Sequence, residues 1–246
     1  MNILLSTCSF AFSEVLRDNN LVEKVKEIFS EEFPNVTTVN TPENAPPELP
    51  RFILFSHHGF STVVVTSNLL QLTTKFNEEY SLNWSGFCKP YLESKIKLVY
   101  RFLEECAVRI KYSGLTINSI FQTNENSVKL LGDAFVKQKV ISNLSLHDVM
   151  QKQTFGYSDK FFVNLQIQNQ RYPAIEKNGV NPDFEQKEND KAVSIILDIN
   201  DRQIANKEKS YISSKADFDE ILSIAEKIIN FGLEKITVGG YSICLN

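Results

Sequence analysis

Apolar and polar residues alternate along 50–76 in the way that adjacent β-strands require. Residues 52–57 alternate with a period of two, and residues 61–66 return with the same period after Gly59. Glycine adopts positive φ at little cost, so Gly59 is typical of a hairpin turn. Residues 69–76 alternate again. The pattern therefore predicts a β-hairpin followed by a third strand.

Three longer segments carry apolar residues at helical spacing. They predict amphipathic helices at 21–33, 91–108 and 217–231. Strand-like patterns predict further strands at 3–12, 35–40, 109–121, 161–168, 192–199 and 236–245.

The helix ends have recognisable signals. Asp18 or Asn19 is suited to cap the first helix, and Pro34 is expected to end it because proline breaks the helical hydrogen-bond ladder. Pro90 stands where an initiating proline belongs, and Gly232 is suited to terminate the last helix in a left-handed conformation.

These elements predict an α+β fold, in which a mainly antiparallel sheet is covered by three principal helices. We expect a single domain over 1–246. Residues 122–160 are polar, with short helical potential at 127–136 and 144–153, and form the candidate boundary between two lobes. Each half of the chain reads strands, a long amphipathic helix and a strand. Because the residues themselves are not similar, we interpret this shared order as coincidence.

Composition and charge favour a protein partner over a nucleic acid. The chain has 42% hydrophobic residues and a formal net charge of −4. Nucleic-acid binding draws most of its affinity from a concentrated basic face. The densest cationic segments, Lys89–Lys97 and Lys187–Lys209, are interleaved with acidic residues. No segment reaches the roughly 18 apolar residues of a membrane span, so we expect no membrane association.

Cysteine use indicates a reducing compartment. No two of the four cysteines have the C-x-x-C spacing, which argues against a zinc site. They are Cys8, Cys88, Cys106 and Cys244. All but Cys88 lie in apolar contexts, as buried thiols do in cytosolic proteins. The N-terminal residues 1–15 have no cationic segment, and we interpret them as a first strand. The predicted location is cytoplasmic.

Two groups of residues are candidates for metal or acid–base chemistry. His57 and His58 lie at the hairpin turn, but adjacent strand residues point to opposite faces, so exposed turn histidines are the better interpretation. His147 has only Asp148 beside it. Asp198, Asn200 and Asp201 follow a buried strand pattern and are suited to Mg²⁺ or Mn²⁺, with Asp190 and Glu188 as further loop ligands. Carboxylates that merely cap the strand end are the competing interpretation.

The C-terminal tail and the single tryptophan also have two readings each. The segment 232–241, with Gly239-Gly240, resembles the glycine-rich loop of CRISPR repeat-processing endoribonucleases, although Glu234 stands where glycine is required. A helix cap followed by a turn explains the same glycines.

Asn83-Trp84 is either an exposed anchor for a partner or, as we expect, a tryptophan buried against the next helix with its ring N–H bonded to backbone.

Across nearly the whole chain, a series of short motifs resembles a sporadically distributed bacterial family of unknown function. The resemblance implies no catalytic residues. Ile117 stands where that family usually has tyrosine. The motifs, in chain order, are Glu32-Phe33-Pro34, Pro50-Arg51-Phe52, Leu82-Asn83-Trp84 with Tyr91, Leu115–Ile120, Ile196-Leu197-Asp198-Ile199, and Phe231 with Ile236-Thr237.

We therefore assign no catalytic, cofactor-binding or metal-binding residue. The sequence favours a non-enzymatic protein-interaction or neutralising component of a mobile defence or toxin–antitoxin locus, with another protein as its partner. An RNA-binding or RNA-processing protein and a metal-dependent enzyme centred on Asp198 and Asp201 remain as alternatives. The sequence leaves the oligomeric state open.

Overall fold

The computed structural model describes residues 1–13, 20–42, 45–136, 145–170, 191–233 and 235. The fold is α+β, as the sequence predicts, and nine antiparallel strands form one continuous sheet in the order β2-β3-β4-β5-β1-β6-β9-β8-β7. The strands are β1 (Asn2–Phe12), β2 (Asn35–Thr38), β3 (Phe52–Phe55), β4 (Ser61–Val65), β5 (Leu69–Lys75), β6 (Ile110–Gln122), β7 (Met150–Tyr157), β8 (Phe161–Asn169) and β9 (Ala192–Asn200).

Six α-helices and one π-helical turn occur in the described residues, so the expected number of three principal helices is not confirmed. They are α1 (Leu21–Phe29), α2 (Glu78–Ser81), the π-helical turn (Trp84–Cys88), α3 (Lys89–Glu105), α4 (Ser127–Phe135), α5 (Arg202–Lys207) and α6 (Lys215–Phe231).

The core lies between one face of the sheet and helices α1, α3 and α6. Phe10 of β1 contacts the rings of Tyr100 on α3 and Phe218 on α6, at centroid distances of 5.5 and 5.0 Å. Phe29 of α1 lies 5.6 Å from Phe102 of α3. These rings are buried and belong to one continuous hydrophobic cluster. Aromatic side chains contribute large apolar areas, so this layer is the main source of stabilisation.

The two halves of the chain follow a similar order on either side of the β1–β6 pair, with five strands in the first half and four in the second. Strands β1 and β6 are neighbours, and each is followed outward by the last strand of its own half, β5 or β9. In each half a helix follows the first strand, and a 17-residue helix, α3 or α6, comes after the last strand. The order strand, helix, meander and long helix thus occurs in both halves of the fold, as the sequence pattern indicates.

Several local predictions differ from the structure. Helix α1 ends at Phe29, well before Pro34, and no side chain caps it at Asn20. Residues 150–157, expected to be partly helical, form strand β7. The expected strand at 236–245 and the caps Asp18 and Asn19 lie outside the described residues.

Other local predictions are confirmed. Gly59 has φ of 69° in the β3–β4 turn, and Gly232 has φ of 93° after α6. Ser214 and Asp217 also form a reciprocal capping box at the start of α6, which was not among the predicted helix signals.

Candidate functional site

The second face of the sheet is the most extensive surface that the core leaves uncovered. We call it the open face and define it by strand residues whose side chains alternate away from the core. Its central residues are half-buried: Thr7, Ser9, Gln71, Thr73, Thr116, Asn118, Asn164, Gln166, Ser194, Ile196 and Asp198.

Only α5 among the described helices lies against this face, and it does so at one end. The Arg202 guanidinium lies 4.3 Å from the ring centroid of Tyr112 and donates a hydrogen bond of 3.0 Å to the Tyr112 hydroxyl. A β-carbon at Gly156 would meet the side-chain amide of Gln203 at 3.1 Å. The centre of the open face is therefore available to a partner as far as the described residues extend.

A network of polar side chains fixes the position of one carboxylate on this face. Asp198 accepts hydrogen bonds from Thr116 at 3.1 Å, from Asn164 at 2.8 Å and from Asn200 at 3.0 Å. The Thr154 hydroxyl extends the network by donating a hydrogen bond of 2.8 Å to Oδ1 of the Asn164 side chain. The network crosses β6, β9, β8 and β7, so the Asp198 carboxylate is held as a preorganised acceptor for a donor from outside.

The open face carries little charge. Among its regularly paired strand residues only Lys75, Lys152 and Asp198 are charged, and the two lysines lie at a strand end and on an edge strand. The remainder are neutral hydrogen-bonding residues and aliphatic residues such as Ile53 and Val64. This composition is unlike the dense lysine and arginine array of a phosphate-binding surface.

Asp201 lies on the other side of the sheet from Asp198. It is fully buried and accepts hydrogen bonds from the Ser113 N–H at 2.7 Å, from Tyr211 at 2.8 Å and from Ser213. Burial raises the pKa of Asp201, and the hydrogen bonds from Ser213, Ser113 and Tyr211 act in the opposite direction without reversing the shift. Its acceptor sites are used in joining β6, β9 and the start of α6.

The metal site suggested by Asp198, Asn200 and Asp201 is therefore not assembled from these residues. The two carboxylates point to opposite sides of the sheet, and Asn200 serves as a donor to Asp198. No group of three or more histidines, cysteines and acids is positioned to hold a metal within the part of the chain that the structure describes. Asp190 and Glu188 lie outside the described residues.

The histidines occupy exposed positions, as the sequence predicts. His57 Nε2 lies 2.9 Å from the Glu31 carbonyl oxygen, and the His58 ring lies 6.3 Å from the ring of Phe60. His147 is exposed on the approach to β7. The two turn histidines thus have separate partners and do not converge on one ligand.

The π-helical turn determines the position of Trp84. Trp84 is 3% exposed, which confirms the predicted burial, but its ring N–H meets no hydrogen-bond acceptor among the described residues, contrary to the expected backbone bond. Asn83 caps the turn by accepting from the Gly86 N–H at 2.8 Å. The turn also places Phe87 in a stack with Tyr80, at a centroid distance of 3.8 Å.

Two of the described cysteines, Cys8 and Cys88, are deeply buried. Burial raises the pKa of the Cys8 thiol above its ordinary range and that of Cys88 to about 11. A thiol is nucleophilic only as the thiolate, so neither is suited to nucleophilic catalysis near neutral pH. Cys106 is half-buried, and Cys244 lies outside the described residues, as does Gly239-Gly240.

Fold and site together define a class: an α+β protein with a duplicated strand order, one buried sheet face and one open, nearly neutral face. No protein-family model matches the chain, and no curated protein matches it. Within the ranges described, no helix combines the length and the apolar character needed to cross a membrane.

Proposed function

We propose that the protein is a non-enzymatic binding protein that recognises another folded protein through the open face. The observation that carries the proposal is a preorganised Asp198 carboxylate on β9, two strands in from the β7 edge of a broad, otherwise nearly neutral sheet surface. The partner surface is expected to be mostly uncharged and to place one basic side chain or N–H donor opposite Asp198.

The dimensions of the face support this assignment. Nine strands spaced at about 4.8 Å span roughly 38 Å, and seven residues at about 3.3 Å per residue give roughly 23 Å along the strands. The product is on the order of 900 Å², close to the roughly 800 Å² that one partner contributes to a standard protein–protein interface. A broad sheet face of this size suits a folded protein better than a small molecule, which binds in concave pockets.

The low charge of the open face supports a protein rather than RNA. The three cations described on this face, Lys75, Lys152 and Arg202, would neutralise few phosphates, so the affinity for RNA would be weak and only modestly dependent on salt. In line with the expectation from the sequence, we propose an accessory or neutralising role in a mobile defence or toxin–antitoxin locus. Genes flanking this one that encode no toxin, nuclease or other defence protein would count against that role.

The binding surface is tested by affinity purification from the native host with three matched baits. Thr73→Arg places a large cation in the middle of the open face, opposite Thr7 of β1. Lys97→Glu changes an exposed residue on α3, on the other side of the molecule. We expect one protein to be retained by the wild-type chain and by Lys97→Glu but lost with Thr73→Arg.

The purified pair then permits a quantitative test of the contact. Asp198→Asn should weaken binding about tenfold or more in calorimetry, because a hydrogen bond between charged groups contributes about 1.5–3 kcal/mol. Equal retention of the partner by all three baits would show that the open face is not the recognition surface. Salt-dependent binding of labelled RNA by the wild-type chain would instead favour a nucleic-acid ligand.

A further inference from the structure

Strand β7 leaves one long edge of the sheet unpaired. It is the last strand in the sheet order, and no described strand lies beyond it. The Asn169 N–H donates to the Val149 carbonyl at 3.3 Å, in register with the pair Met150 and Gln168. Antiparallel hydrogen-bonded pairs alternate along a ladder, so the odd-numbered residues of β7 bond to β8. The even-numbered residues direct their backbone N–H and C=O groups outward: Met150, Lys152, Thr154 and Gly156.

This edge has little of the usual protection against pairing. Proteins shield edge strands by shortness, proline, charged side chains (especially lysine) or bulges. β7 has eight residues, one charge at Lys152, and an uninterrupted register with β8. Its large apolar side chains are exposed, Met150 by 64% and Phe155 by 49%.

The opposite edge of the sheet provides a contrast within the same molecule. β2 has only four residues and follows Pro34. The Val39 N–H donates to the Arg51 carbonyl at 2.9 Å, so Val36 and Thr38 are its only outward-facing residues. One edge of the sheet is thus poorly suited to pairing and the other is well suited.

We propose that β7 pairs antiparallel with β7 of a second copy of this chain, with Gln153 on the twofold axis. Directly opposed residues in an antiparallel pair point to the same face of the sheet. At the twofold axis a residue therefore lies opposite the same residue of the second copy. Near the middle of β7, this residue is either Gln153 or Thr154. The register centred on Gln153 uses all four outward residues of each copy and forms about eight backbone hydrogen bonds. A register centred on Thr154 would place Met150 opposite the turn and lose bonds.

The side chains suit this register. Met150 lies opposite Gly156 of the second copy, so its long side chain meets no opposing side chain. Lys152 lies opposite Thr154 of the second copy, and the two lysines are never directly opposed, which avoids the cost of facing like charges. Phe155 lies opposite Gln151 of the second copy and gains cover for its exposed ring. This closed, isologous contact ends with two chains, since each copy has one β7 edge.

The dimer does not depend on the proposed function, but it has a geometric consequence for it. The twofold axis stands perpendicular to the sheet, so both open faces lie on the same side of an eighteen-stranded sheet. A partner with two equivalent sites would then be bound at both.

The oligomeric state and an edge-proline variant test the proposal. Sedimentation equilibrium of the wild-type chain should give about twice the 28.1 kDa mass of one chain. Lys152→Pro removes an outward N–H that makes no bond to β8, so it should give a folded monomer. Lys152→Ala keeps that N–H and should remain a dimer. A wild-type chain that is monomeric at high micromolar concentration, or a dimeric Lys152→Pro variant, would overturn the proposal.

Disulfide trapping tests the register without relying on a destabilising change. In a background with Cys106 and Cys244 replaced by serine, Gln153→Cys places two thiols in a non-hydrogen-bonded pair with β-carbons about 4.5–5.5 Å apart. Mild oxidation should convert nearly all of this variant to a covalent dimer, and Thr154→Cys should give little. Trapping through Thr154→Cys alone, or through neither variant, would contradict pairing centred on Gln153.

Discussion

Gly114 of β6 lies directly opposite Asn200 of β9, and a β-carbon at position 114 would stand 3.0 Å from the Asn200 β-carbon. The same atom would lie 3.3 Å from the Ile199 carbonyl oxygen. Both neighbours are held by the sheet, so neither yields easily. Asn200 also donates to Asp198, and the spacing at Gly114 therefore preserves the polar network of the open face.

Replacing Gly114 should for this reason destabilise the fold. We expect Gly114→Ala to lower the free energy of unfolding by about 1–3 kcal/mol in urea denaturation, the usual cost of overpacking. Gly156→Ala is the matched control, because its β-carbon meets the movable side-chain amide of Gln203 at 3.1 Å, and it should cost much less. Equal stability of Gly114→Ala and the wild-type chain would contradict the packing argument.

Asp201 should give a stability effect that grows toward low pH. Because burial raises its pKa in the folded state, the bound proton stabilises the fold fully below the ordinary pKa of aspartate, and this contribution is lost as pH rises through the raised value. Asp201→Asn keeps an acceptor for the Ser113 N–H and should cost about 1–2 kcal/mol, whereas Asp201→Ala should cost about 3 kcal/mol or more.

Urea denaturation from pH 3 to pH 8 tests this assignment. The loss caused by Asp201→Asn should be largest at the acidic end and shrink as pH increases. A loss that instead grows from acidic to neutral pH would mean that the folded state favours the ionised carboxylate.

Lys160 and Asp217 should show the opposite pH dependence. Burial raises the pKa of Asp217, but hydrogen bonds from Lys160 and Ser214 outweigh it and lower the pKa below the ordinary value. The stabilisation is therefore present above the ordinary pKa and lost as pH falls through the lowered one. Lys160→Met should cost about 1–2 kcal/mol at neutral pH and almost nothing in strong acid.

A variant of Glu220 separates the contribution of the Lys160–Asp217 ion pair from that of the more exposed Lys160–Glu220 ion pair. Lys160 also lies 3.0 Å from Glu220, whose side chain is more exposed than that of Asp217. Glu220→Gln should change stability by less than about 0.5 kcal/mol in the same titration. If Glu220→Gln were as damaging as Lys160→Met, Asp217 would not be the main partner of Lys160.

The cysteines should differ in reactivity in the order of their burial. With iodoacetamide at pH 8, Cys106 should be alkylated first, Cys88 much more slowly because its pKa is raised to about 11, and Cys8 only on unfolding. Peptide mass spectrometry of native and urea-treated protein gives each rate. Rapid native labelling of Cys8 would show that the sheet opens locally around β1.

The sequence predicts strands well wherever one face is buried. Residues in β3, β8 and β9 alternate between core and open face, and this alternation leaves a pattern of period two. β7 lacks the pattern because the helices do not cover the edge of the sheet, so Gln151 and Gln153 stand where apolar residues would otherwise face the core. The period-two pattern is missing from β7 because neither of its faces is buried, although the segment is a strand.

The candidate site was harder to predict than the fold. Asp198 and Asp201 are close in sequence and suggest converging carboxylates, but Asp198 points to the open face from within β9. Asp201 is the first residue beyond that strand, and the chain turns there toward Ser113 on the core side. The partners of Asp198 come from strands far apart in sequence, and only the strand order brings them together.

The location of β1 between β5 and β6 affects how the chain reaches its fold. The earliest strand to be synthesised finds its second neighbour only when Ile110–Gln122 has been made. Until then one backbone edge of β1 is unpaired, and its apolar face still lacks Phe218 of α6, which packs on Phe10 in the native core. Pairing between strands far apart in sequence slows folding and prolongs the exposure of aggregation-prone apolar segments. Among the described strands, β1 therefore stays incompletely paired while a further stretch of chain is made, which makes residues 2–12 a segment at risk of aggregation during synthesis.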